Sequence, residues 1–308
     1  MLKCGHLAAC YGVSVHDSTG FAAFQPIFKM TTARIPDNLV HYAARDLLRR
    51  AEVIQSPLTR VREISPAPLP ADELRTAYPN ATVEQWHVTD SAPSAEKKSW
   101  LQKLNPFASN DTPSRIASAQ LNAQLTNAQP AQLVLAPFVL DTLSAADTLA
   151  ALAQLPSWFA QDGVLLFATL GAGSMPELVN RNADWLTQVQ HLPTIMAMGR
   201  RLQDLRFGLP VLDVETVRLG YDDAETLWQD VLHFCPSLPT LSDAERSHWR
   251  VQTQTAFDEG VRQLSIEIIY GQVWQPTVTA KELADDGVRT VSLESLTASL
   301  NKRPEGTE

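Results

Sequence analysis

Between residues 34 and 54 the apolar positions Leu39, Val40, Ala43, Leu47, Leu48 and Ala51 recur at helical spacing, and Asp37 stands where an N-cap belongs. The spacing predicts a helix. Thr59 to Ile64 reads as a short strand, which Pro66, Pro68 and Pro70 then stop. A helix is expected near Ala71 to Tyr78 and a second strand over Ala81 to Val88. From residue 131 the pattern sharpens. Gln132 to Ala136 and Val164 to Leu170 are almost unbroken apolar runs, the mark of strands buried on both faces. Between them Ala145 to Phe159 reads as a helix ended by Asp162 and Gly163. Further helices are expected over Leu178 to Leu186, over Arg200 to Arg206, from Asp222 and Asp223 to Phe234, and from a Ser242 cap to Gly260. Val211 to Leu219 alternates as a strand, and Leu264 to Trp274 is a last, long one. Alternating strands and helices predict an α/β domain whose mostly parallel sheet is covered on both faces.

The flanks differ from this body. Residues 1–29 carry Cys4 and Cys10 and form an atypical leader, expected to be disordered or untranslated, with Met30 as a candidate start. The domain is expected over 30–276, followed by a polar tail over 277–308 with a short helix at Ser292 to Leu300. Residues 89–130 are rich in Ser, Ala, Asn, Gln and Pro; they hold one apolar island (Trp100, Leu101, Leu104, Phe107) and a short strand candidate, Arg115 to Ala119.

Composition narrows the function classes. The 308 residues are 44% hydrophobic and 19% charged, ordinary for a globular protein. A net charge of −9 argues against general nucleic-acid binding and against docking on an anionic membrane. Three cysteines make no disulfide framework and fit a reducing cytoplasm. The spacing of Cys4, His6, Cys10 and His16 matches no common closed zinc pattern, so no metal site is assigned.

Three stretches carry a family resemblance: Asp162-Gly163-Val164-Leu165-Leu166-Phe167-Ala168-Thr169-Leu170-Gly171; Val211 to Asp223, ending Leu219-Gly220-Tyr221-Asp222-Asp223; and Tyr270-Gly271-Gln272-Val273-Trp274-Gln275-Pro276. From Leu133 to Trp274 the chain resembles the malonyl-acyl-carrier-protein O-methyltransferases of biotin synthesis. The resemblance implies a class I, Rossmann-like methyltransferase fold: a seven-stranded, mostly parallel sheet with an antiparallel edge hairpin. S-adenosylmethionine would lie across the carboxyl ends of the first strands. It also implies methyl transfer to the carboxylate of a carrier-bound malonyl thioester. A carboxylate is already ionised at neutral pH, so placement rather than a strong base would carry the catalysis.

The same resemblance exposes departures. No glycine occurs between Gly20 and Gly163, yet the family's first strand ends in an acid and a G-x-G-x-G turn. An ungapped count places the three glycine positions on Ile64, Pro66 and Pro68. A shift of one residue places them on Ser65, Ala67 and Leu69 and makes Glu63 the acid. His87 falls where an acid would bind the ribose, with Asp90 three residues on, and Ala136-Pro137 replaces the frequent Ser-Asn. Glu63, Ile64, Ser65, Pro66, Pro68, His87, Ala136 and Pro137 are therefore the positions matching the cofactor cleft. No catalytic residue is assigned. Arg200, Arg201 and Arg206 are the candidate surface for substrate or partner; Asp141 and Asp147 are read as helix-start residues. Two functions follow. One is a non-catalytic interaction or regulatory module with lost or weakened S-adenosylmethionine binding, partnered by acyl carrier protein or another methyltransferase. The other is an active S-adenosylmethionine-dependent O-methyltransferase.

Overall fold

A computed structural model describes residues 27–30, 37–89, 113–143, 148–235, 238 and 241–275. Met1–Pro276 form one unit, which contains every described residue; Thr277–Glu308 form a second. The leader before Ile27, the island at 100–107, Asp90, Asp147 and the tail helix expected at 292–300 lie outside the described residues.

The strands are β1 (Ile27–Met30), β2 (Arg60–Ser65), β3 (Thr82–Thr89), β4 (Ser114–Ala117), β5 (Leu133–Pro137), β6 (Val164–Leu170), β7 (Gly208–Tyr221) and β8 (Gln263–Trp274). They form one sheet in the order β1-β7-β8-β6-β5-β2-β3-β4. All neighbours are parallel except β8, which runs antiparallel between β6 and β7. Strands β2 to β8 make the expected methyltransferase sheet with its reversed hairpin. β1 adds an eighth strand, pairing Ile27–Met30 with residues 218–221 of β7.

Burial along β6 explains why Thr169 is the one polar residue there. Val164, Leu166, Ala168 and Leu170 enter the core under α1 (Asp37–Ala51), while Leu165 and Phe167 enter a second core on the opposite face. The first core is completed by α2 (Ala71–Ala77). The second is covered by α3 (Leu121–Asn127), α4 (Val139–Leu143) and α5 (Thr148–Ala151). α6 (Pro176–Val179) also joins the first core, and α7 (Leu186–Val189) follows it. α8 (Ile195–Asp204) joins the second core; α9 (Ala224–Phe234) and α10 (Asp243–Asp258) join the first. The two layers bury β5 and β6 completely. Gly271 of β8 sits where a Cβ would lie 2.1 Å from Phe167 Cζ, so close approach of the strand to that ring requires glycine here.

Three helix expectations are corrected. Among the described residues, the stretch to Phe159 is α-helical over Thr148–Ala151 and then tightens into a 3₁₀ run, Leu152–Ser157, because Pro156 cannot continue the ladder. The stretch Leu178 to Leu186 divides into α6, a 3₁₀ turn at Ala183–Trp185 and α7, divided by the Asn182 cap that accepts from Asp184 N. α8 starts at Ile195 rather than Arg200, since the Thr194 side chain accepts from Ala197 N and supplies a cap. The caps at Asp223 and Ser242 lie where expected, the second as a full capping box.

Candidate functional site

The candidate site is the turn that leaves β2. β2 and β3 run in register, with Glu63 opposite Gln85, Ile64 opposite Trp86 and Ser65 opposite His87. Glu63 is fully buried, and both its oxygens are engaged. Leu69 N donates to Oε1 at 3.0 Å and to Oε2 at 3.2 Å, and Gln85 Nε2 donates to Oε2 at 2.7 Å. Gln85 Nε2 also donates to Leu69 O at 2.7 Å, which closes a ring of bonds around the turn. Burial, offset by the bonds from Gln85 and Leu69, pushes the Glu63 carboxyl up to about 7. The carboxylate thus ties residues 66–70 back to the sheet. Glu63 lies two residues before the end of β2.

The turn is glycine-free without backbone strain. The described non-glycine residues with positive φ are Phe138, Asp162, Met175 and Arg206, none of them in this turn. Its side chains explain how. Ser65 Oγ accepts from Ala67 N at 3.1 Å, and Ala67 and Leu69 are buried in the α1 core, while Ile64 enters the opposite core. Pro66 and Pro68 remain half-buried at the rim. His41 of α1 lies with Nε2 at 3.2 Å from Pro68 O, and Arg45 pairs with Glu73 of α2, so α1 braces the turn from above.

The backbone donors of Pro66 to Pro70 can be counted. Pro66, Pro68 and Pro70 have no N–H. Ala67 N is bonded to Ser65 Oγ, and Leu69 N to Glu63. No N–H in this segment is left to approach a ligand.

The other expected positions divide. His87 is half-buried on β3, between Ser65 and Arg115 of β4. Ala136 and Pro137 end β5 and are fully enclosed, and Phe138 follows at φ 53°. Arg200 and Arg206 are exposed, without an ion pair among the described residues; Arg201 Nε reaches Leu149 O at 3.4 Å. The three arginines belong to α8 and its end, a different element from the turn.

Sequence reasoning missed two features. Gln85, the partner that completes the Glu63 ring, gives no local signal because it is 22 residues away. Asp141 is more than a helix-start residue: its Oδ1 accepts from Thr169 Oγ1 at 2.9 Å and Leu170 N at 3.2 Å, which fastens α4 to the end of β6. Burial raises its carboxyl to about 7, and Oδ2 has no partner among the described residues. Among those residues no group of His, Cys, Asp or Glu is placed to hold a metal, and no helix is long and apolar enough to cross a membrane.

Comparison with known proteins adds the decisive observation. The chain is 26% identical over 224 residues to the malonyl-acyl-carrier-protein O-methyltransferase of Laribacter hongkongensis, covering 70% of this chain and 74% of that protein. This chain is related to the malonyl-acyl-carrier-protein O-methyltransferases. The enzyme of that name from Methylovorus is 27% identical over 151 residues, 45% of this chain and 49% of the enzyme. Among solved structures, the YcgJ protein of Bacillus subtilis superposes on 77% of this chain and all of its own, with 16% identity and a TM-score of 0.44. No family profile matches the chain. The malonyl-acyl-carrier-protein O-methyltransferase relationship thus rests on sequence similarity over 70% of the chain.

Proposed function

We propose that this chain has lost or weakened S-adenosylmethionine binding and serves as a non-catalytic interaction or regulatory module built on the methyltransferase fold. The observation that carries this reading is the donor count at the β2 turn. A turn that holds a nucleoside cofactor needs free backbone N–H groups and close approach of the backbone. Residues 66–70 offer three prolines and two N–H groups already bonded inside the protein. The acid that could have faced a ligand is spent on the same turn. The partner on this reading is acyl carrier protein or another methyltransferase. The exposed Arg200 and Arg206 are the side chains that would meet an acidic surface.

The second reading, an active O-methyltransferase using S-adenosylmethionine on a carrier-bound malonyl carboxylate, draws on the relatives' name and on a buried acid, Glu63, near the end of β2. Calorimetric titration with S-adenosylmethionine and S-adenosylhomocysteine separates the two. The module reading expects no heat up to millimolar ligand. Binding in the micromolar range, about −8 kcal/mol, overturns it and makes malonyl-thioester methylation the next assay.

A further inference from the structure

A second region, away from the β2 turn, has the makings of a ligand site. An open groove of about 540 Å³ runs between α6 and the turn that joins α10 to β8, lined by Glu177, Asn180, Arg181, Gly260, Arg262 and Gln263. Both walls are rigidly held. On the α6 side the Glu177 carboxylate accepts from Ser265 N at 3.1 and 3.0 Å and from Ser265 Oγ at 2.6 Å, so its oxygens are engaged by β8. Met175, just before α6, is fully buried in the left-handed region at φ 58°, a conformation its neighbours must enforce. On the other side Val261 N returns to Ala256 O, and the Arg262 guanidinium stacks on the Phe257 ring and donates to Phe257 O. Gly260 at φ 102° has open space where a side chain would stand.

One contact crosses the groove. Arg181 Nη1 donates to Glu259 Oε2 at 2.6 Å and Nη2 to Glu259 O at 3.2 Å. Both side chains are substantially exposed, 39% and 59%, so the pair adds little to stability and exchanges readily. Glu259 is in effect an internal oxyanion already seated on Arg181, and it marks the geometry an external one would use. The Glu177 oxygens are occupied by Ser265, so the charged donors lining the groove are the guanidinium groups of Arg181 and Arg262.

We propose that this groove binds a small phosphate-bearing ligand, whose oxygens displace the Glu259 carboxylate from Arg181 and reach Arg262 at the opposite wall. Planar guanidinium forks match phosphate oxygens in pairs, which favours this class over a halide or a neutral polar molecule. The proposal is independent of whether the β2 turn binds S-adenosylmethionine.

The test is calorimetric titration of the full chain with inorganic pyrophosphate at fixed ionic strength. Binding is expected in the wild-type protein, weakened about tenfold or more in Arg181→Ala and in Arg262→Ala. Glu259→Gln removes the internal competitor and is expected to tighten binding about two- to fivefold. Arg250→Ala deletes another exposed arginine, paired with Glu225 outside the groove, and is expected to leave the affinity unchanged. No heat from the wild-type chain at about 10 mM pyrophosphate overturns the proposal. So does equal weakening by Arg181→Ala and Arg250→Ala, which would reduce the effect to net charge, and so does a Glu259→Gln variant that binds less tightly. All four positions are on the surface, and a thermal melt of each variant confirms that folding is intact.

Discussion

A carboxylate with one oxygen shared between a backbone N–H and a side-chain amide, and the other on the same N–H, has little left for a ligand. That is the state of Glu63. Its loss is correspondingly expensive. Glu63→Ala leaves the Leu69 N–H and one Gln85 donor without their acceptor in a sealed core, and is expected to cost about 2–4 kcal/mol. Urea denaturation measures the loss, and hydrogen exchange at the Leu69 amide should accelerate in parallel. A loss below about 0.5 kcal/mol would mean that the prolines alone shape the turn. Gly271 makes a complementary case, in which the absence of a side chain is the structural requirement. Gly271→Ala drives a methyl group into Phe167 and is expected to destabilise by about 1–3 kcal/mol; an unchanged melting temperature would show that the ring can move aside.

At the scale of elements, legibility followed locality. The Asp223 and Ser242 caps, the apolar runs of β5 and β6 and the three prolines after β2 act within a few residues, so sequence alone places them. Ser242→Ala should cost about 1 kcal/mol through the lost capping box, read as a fall in denaturation midpoint; no change would mean that α10 is held by Trp249 against Trp185 instead. Elements governed by distant contacts were harder. β1 was invisible because its pairing with β7 spans about 190 residues of chain. The site divides the same way. The missing glycines are plain in the sequence, but that the turn needs none follows only from Ala67 and Leu69 turning into the α1 core and from Gln85 meeting Glu63.

For the molecule as a whole, three buried carboxyls set the pH response. Burial pushes Glu63, Asp141 and Asp230 each up to about 7, with no cation bonded to any of them among the described residues. Tyr221 Oη donates to Asp230 Oδ2 at 3.0 Å, and Oδ1 has no partner among the described residues. A carboxyl whose folded pKa lies above its unfolded value binds more protons folded than unfolded. Its stabilising share is therefore complete below about pH 4 and is lost as pH rises through about 7. Glu73, Asp223 and Glu245 act in the opposite sense. Bonds from Arg45, from Thr226 N and from Ser242 hold them below the usual carboxylate range, and their share is lost only as the solution becomes more acidic than that range. The two groups together place the stability maximum on the mildly acidic side of neutrality, and a net charge of −9 adds self-repulsion as further groups ionise. Urea denaturation is expected to show at least about 2 kcal/mol less stability at pH 8 than at pH 5. Asp230→Asn keeps an acceptor for the Tyr221 hydroxyl but cannot ionise, so it should flatten the slope while leaving stability at pH 5 nearly unchanged. A profile that rises toward pH 8, or a slope that Asp230→Asn does not alter, would show that water or local opening relieves these carboxyls and that the core around Asp230 is not sealed.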